Sequence, residues 1–120
     1  MRIGIPTLGE KGLKEELSPH FGRAPTFTIY DTESEEMEVK DNRSEHMGGK
    51  GKPPEQLDKH DIDVLVTTNL GRKAVAMFDK LGIDVYCGAS GTVQDAIEMW
   101  ESDELEPASR KNACSGHGSR

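Results

Sequence analysis

Residues 18–25 read Ser-Pro-His-Phe-Gly-Arg-Ala-Pro, which sets an imidazole at His20 three positions from a guanidinium at Arg23. Histidine can ligate a metal or hold a proton near neutral pH. Arginine brings a permanent charge and a planar fork of donors. Gly22 between them lets a ligand approach the backbone closely, and Phe21 can anchor the loop in a core. That combination suits an anionic ligand, either a metal–sulfur species or an oxyanion. The bland alternative is a lone histidine that only braces the loop.

A second candidate is Cys114-Ser115-Gly116-His117. A Cys-x-x-His spacing supplies two ligands, half of a tetrahedral set. His20, His46 or Cys87 would have to complete it, so His20, Cys87, Cys114 and His117 are the metal candidates. The other reading is a tail that holds a cysteine and a histidine by chance. Cys87 itself reads either as a small buried hydrophobe at a strand end or as a residue at the mouth of a site. Two cysteines in the chain do not make a disulfide framework.

Catalytic patterns do not emerge. No Ser/His/Asp set or carboxylate pair stands at a known spacing, and no phosphate-loop or dinucleotide fingerprint is present. A nuclease-type carboxylate cluster needs acids on the first strand, and Arg2-Ile3-Gly4-Ile5-Pro6 has none. Nuclease chemistry is therefore disfavoured, and an enzyme is the weakest of the readings.

The elements that must position these residues are legible from periodicity. Residues 2–6 form a first strand, with Ile3 and Ile5 on one face. Residues 26–31 and 36–41 alternate as a hairpin across the polar turn Thr32-Glu33-Ser34-Glu35. Residues 42–54 form a glycine-rich loop, and Pro53 and Pro54 open a short helix over 54–60. Residues 62–66 and 83–87 read as buried parallel strands. Between them, 72–81 has a helical apolar stripe at Ala74, Met77, Phe78 and Leu81, stopped by Gly82. Thr92 caps a last helix over 93–101. The expectation is an α/β domain over 1–105 with a flexible tail over 106–120. Its mixed five-stranded sheet has order 3-2-1-4-5, with strand 2 antiparallel to the rest. In such sheets ligands bind beyond the carboxyl ends of the strands. That rule selects Asn69 and Gly71 after strand 4, and Gly91 with Thr92 at the last helix start, where free N–H groups favour an anion. The glycines can equally serve only turn geometry.

With 120 residues, one domain is expected, large enough to bury a core without metals or disulfides. A formal charge of −7 argues against a general nucleic-acid binder. No long apolar run suggests a signal peptide or a membrane span, so cytoplasmic residence is expected.

Taken together, the sequence resembles the dinitrogenase iron-molybdenum cofactor biosynthesis family, also called nitrogenase accessory factor-like. The resemblance lies in Met1-Arg2-Ile3-Gly4-Ile5-Pro6, in His20-Phe21-Gly22-Arg23-Ala24-Pro25 with Phe27, and in Gly48-Gly49. It continues through Asp63-Val64-Leu65-Val66, Asn69-Leu70-Gly71, Leu81-Gly82-Ile83-Asp84-Val85-Tyr86, and Gly91-Thr92-Val93 with Ala96-Ile97. It implies a three-layer ribonuclease H-like motif and a non-catalytic carrier of a metal–sulfur cluster. The cargo so implied is an iron–molybdenum cofactor precursor or a related molybdenum, iron or copper sulfide. His20, Phe21, Gly22, Arg23, Asn69, Gly71, Gly91 and Thr92 are its expected contacts. The partners implied are cluster donor or acceptor proteins, with the chain itself a monomer or weak homodimer. One departure stands out: the glycine-rich loop runs Gly48-Gly49-Lys50-Gly51-Lys52-Pro53-Pro54, where the family continues into a long helix. A metal-free regulatory or protein-interaction module, using the acidic hairpin Glu33, Glu35, Glu36 and Glu38, is the alternative.

Overall fold

The computed structural model describes residues 1–41 and 62–108. The glycine-rich loop, the short helix expected over 54–60, His46, Cys114 and His117 lie outside them. The strands are β1 (Arg2–Thr7), β2 (Thr26–Asp31), β3 (Met37–Asp41), β4 (Val64–Val66), β5 (Asp84–Cys87) and β6 (Glu106–Ala108). The helices are α1 (Arg72–Leu81) and α2 (Val93–Glu101), and single 3-10 turns occur at Gly12–Lys14 and Phe21–Arg23. The six strands form one mixed sheet of order β3-β2-β1-β4-β5-β6.

The expected order 3-2-1-4-5 is present, with β2 antiparallel to β1 and β3, and with β1, β4 and β5 parallel. The expected count of five is corrected to six. Strand β6 uses the first residues of the expected tail and pairs antiparallel with β5 through Val85↔Ala108, Tyr86↔Pro107 and Cys87↔Glu106. Its sequence, Glu-Pro-Ala, has no apolar alternation to read. A three-residue edge strand buries little, and an edge tolerates Pro107 because no further ladder needs its missing N–H. Leu105, just before it, is buried and fixes the approach.

Two apolar clusters cover the two faces of the sheet. On one face Phe21, Phe27, Leu65, Val75 and Phe78 pack between the sheet and α1. On the other Ile3, Ile5, Val64, Val66, Val93 and Ile97 pack under α2. Both helices keep the expected bounds. Helix α1 stops at Gly82, whose φ of 77° is left-handed and whose N–H bonds back to the Asp79 carbonyl at 3.2 Å.

The hairpin turn is organised by Asp31. Its Oδ1 accepts the Glu33 N–H at 2.8 Å and the Ser34 N–H at 3.3 Å. The Glu33 bond first, then the Ser34 bond, holds the Asp31 carboxyl below its usual range. A lowered folded pKa means that this stabilisation is full above the unfolded carboxyl's pKa and fades as pH falls through the folded one. The Glu33 and Ser34 amide resonances should therefore titrate together in acid. In Asp31→Asn that titration should vanish; its persistence there would assign it to another group.

Candidate functional site

Pro6 shapes the carboxyl edge of the sheet. The ladder between β1 and β4 runs through Ile3↔Val64 and Gly4↔Leu65 and goes no further. Pro6 has no N–H with which to continue it. Its carbonyl instead accepts the Ser18 N–H at 2.9 Å. The two central strands therefore part at their carboxyl ends, where chain connectivity also switches direction, and the loop after β1 is fastened into the gap.

That loop crosses from one face to the other. Leu17 belongs to the α2-side core and pairs with Thr7. Phe21 belongs to the α1-side core. Between them Ser18 is buried, and its hydroxyl donates to the His20 carbonyl at 3.2 Å and accepts the His20 N–H at 3.3 Å. The ring of Phe21 meets Phe27 of β2 with centroids 5.3 Å apart, and meets Phe78 of α1 edge-on at 5.4 Å. His20 and Arg23 flank this wedge, and both are exposed. Phe21 thus works as an anchor that presents its neighbours on the α1 side.

The two helix starts differ. At α2 three of the backbone donors are taken. The Val93 N–H bonds the Glu15 carbonyl at 2.9 Å, and the Asp95 N–H bonds the Thr92 hydroxyl at 3.2 Å. The Thr92 N–H bonds the Asp95 carboxylate at 3.0 Å, completing a reciprocal cap. Gly91, at φ 89°, lies against that carboxylate, and a Cβ there would collide with it. A capped start carrying its own negative charge disfavours an anion. The expectation that Gly91 and Thr92 face a ligand therefore meets a different arrangement, in which both residues serve the helix cap and its turn.

At α1 the opposite holds. Gly71 provides no side-chain cap, the first turn contains no acid, and Arg72 and Lys73 open the helix, both exposed. Asn69 is half-buried beside it, and Leu70 shares the core cluster of Phe21. The structure therefore gathers His20, Phe21, Gly22 and Arg23 on the same side of the sheet as Asn69, Gly71, Arg72 and Lys73. Arg72 and Lys73, which the sequence offers with Arg23 among cations in or beside loops that could converge, stand at this acid-free first turn, where their charge adds to the helix dipole for an anion.

Cys87 is buried at the end of β5. The chain's other cysteine, Cys114, and His117 lie outside the described residues. Among the described residues no three His, Cys, Asp or Glu side chains stand close enough to hold a metal ion.

A buried threonine set beneath the loop escaped the sequence reading. The Thr7 hydroxyl lies 2.7 Å from that of Thr26 and 3.0 Å from that of Thr28. Thr26 Oγ1 donates to the Gly9 carbonyl at 2.7 Å. Alternating threonines on a strand look like ordinary β formers, so nothing in the sequence marked them. Thr26→Val should cost about 1–3 kcal/mol, because buried Thr7 and the half-buried Gly9 carbonyl lose their hydrogen-bond partner. Urea unfolding checks this; a loss within experimental error would mean that water replaces the hydroxyl.

The arrangement is that of a small α/β domain that, among the described residues, has an uncapped, cationic corner at the carboxyl edge of a mixed sheet. The chain belongs to the dinitrogenase iron-molybdenum cofactor family, whose model matches residues 1–103. An uncharacterized protein of Methanocaldococcus jannaschii is 31% identical over 111 residues, covering 88% of this chain and 90% of that one. The apo form of the orange protein from Desulfovibrio gigas superposes with a TM-score of 0.80 at 28% identity, covering 89% of this chain and 92% of that one. A Thermotoga protein solved by NMR gives a TM-score of 0.75 at 36% identity, covering 88% and 91%. Among the described residues no helix is long and apolar enough to cross a membrane.

Proposed function

We propose that this chain is a non-catalytic carrier for an anionic metal–sulfur cluster, bound at the corner between residues 20–23 and the start of α1. The observation behind this reading is the Phe21 wedge. It sets His20 and Arg23 on the same face as an uncapped helix start bearing Arg72 and Lys73. Membership of a family associated with such clusters supports the chemical class of the cargo. Because no ligand cluster of three stands among the described residues, charge and N–H donors would hold the cargo, and His20 at this corner could add a bond to metal. Iron, molybdenum and copper sulfides all fit this recognition, since each presents negative sulfide to cationic donors.

The test is anaerobic reconstitution with iron, molybdate or copper together with sulfide, followed by gel filtration. The wild type should retain a visible-absorbing species, and His20→Ala should retain less. If the wild type elutes colourless under every combination, or if His20→Ala retains the full colour, the reading fails as stated.

A further inference from the structure

On the opposite face, away from the cationic corner, a groove of about 380 Å³ runs between α2, the β2–β3 hairpin and the 3-10 turn at Gly12–Lys14. Leu13, Met37 and Ile97 line it with apolar surface, and Leu13 is 42% exposed. Glu35, Glu98 and Glu101 border it, and all three are exposed.

Two acids of the hairpin are paired with cations. Glu33 is met by the N-terminal ammonium at 3.5 Å, and Glu38 by Lys40 at 3.1 Å. Among the described residues, Glu35 and Glu101 have no cation within 4.0 Å, and Glu98 is touched only by the Gln94 amide at 3.3 Å. The groove therefore has an apolar floor flanked by three carboxylates that no cation of the described residues neutralises. They do not group as ligands for one metal ion. Spread acids beside an apolar floor complement a segment with several cations along one side and apolar residues along the other.

We propose that this groove docks a basic amphipathic segment of a partner protein. The inference does not depend on the cargo, because groove and cationic corner lie on opposite faces of the sheet and can be occupied together. It narrows the expected acidic partner face from the whole hairpin to Glu35 and the exposed side of α2.

The test uses metal-free protein labelled with ¹⁵N and a synthetic helical peptide of alternating Lys-rich and Leu-rich faces, with a Glu/Leu peptide of the same pattern as control. The Lys/Leu peptide should shift amides at Leu13, Met37 and Ile97 in a saturable, salt-sensitive way, and the control should not. Glu98→Lys with Glu101→Lys should weaken binding by about tenfold or more, as reversed charges at an interface cost both attraction and repulsion. Both positions are exposed, and circular dichroism should report an unchanged fold. Leu13→Ser, in an exposed turn, should weaken binding without altering the salt dependence. Peptide shifts elsewhere, or binding indifferent to the charge reversal, would overturn the proposal. So would groove shifts that depend on protein concentration without peptide, which would assign the groove to a second copy. Groove shifts on removing residues 109–120 would assign it to the chain's own tail and equally overturn it. Failure of cluster reconstitution leaves this result untouched, so the two readings fail separately.

Discussion

Replacing Phe21 with alanine should lower stability by about 3–5 kcal/mol, the usual cost of emptying a buried aromatic site. The side chain is 6% exposed and touches aromatic rings from two different elements, Phe27 of β2 and Phe78 of α1. Its removal leaves a cavity at the junction of sheet, helix and loop. The functional consequence should exceed the global one. Without the wedge, the turn at Phe21–Arg23 loses its hold on the α1 face, and His20 and Arg23 lose their fixed position. Amide exchange at residues 20–23 should then quicken more than exchange in β1 or β2. Urea midpoints give the first quantity and hydrogen exchange the second. A stability loss below about 1 kcal/mol, small for a large-to-small core change, would mean that the ring is not the anchor described here.

Arg23→Glu should have the largest effect on cargo. Arg23 is exposed, so the substitution should move stability by no more than about 0.5 kcal/mol. It replaces a cation on the α1 side of the sheet with an anion. Retention of an anionic sulfide should fall by about tenfold or more, and rising salt should narrow the difference between wild type and variant as the surface charge is screened. The matched control is Glu104→Lys, which makes the opposite charge change at an exposed residue between α2 and β6. A gain in Glu104→Lys as large as the loss in Arg23→Glu would indicate a response to net charge rather than to a site.

Much of this arrangement was legible in the sequence, for physical reasons that can be located. Phe78 and Leu81, followed by Gly82, gave the end of α1 because a left-handed stop and an amphipathic stripe both leave marks in composition. Thr92 marked the start of α2 for the same kind of reason. What did not show was long-range pairing. Strand β6 depends on β5 for all its order, so Glu-Pro-Ala alone reads as tail. Glu15 is buried, with its carboxylate accepting the Lys11 N–H at 3.2 Å and the Glu16 N–H at 3.0 Å. In the sequence it looks like any surface acid.

At the site, the sequence placed His20 through Arg23 and Asn69 through Gly71 together because strand order and the carboxyl-edge rule suffice for that. It could not separate the two helix starts. Gly71-Arg72-Lys73 and Gly91-Thr92-Val93 both read as glycine before a helix. The separation comes from the loop after β1, whose Glu15 carbonyl consumes a donor at α2, and from Asp95, which supplies the cap. Only the folded chain brings that loop to α2 and leaves α1 open.

The central claim is therefore a location: anionic sulfide binds at the start of α1, beside residues 20–23. The most direct measurement is an amide chemical-shift titration of the ¹⁵N-labelled protein with tetrathiomolybdate under anaerobic conditions. Saturable shifts at His20, Gly22 and Arg23 together with Gly71, Arg72 and Lys73, and none at Thr92 or Asp95, are the expected result. Shifts centred on Gly91–Asp95, or no saturable shifts at residues 20–23, would contradict it.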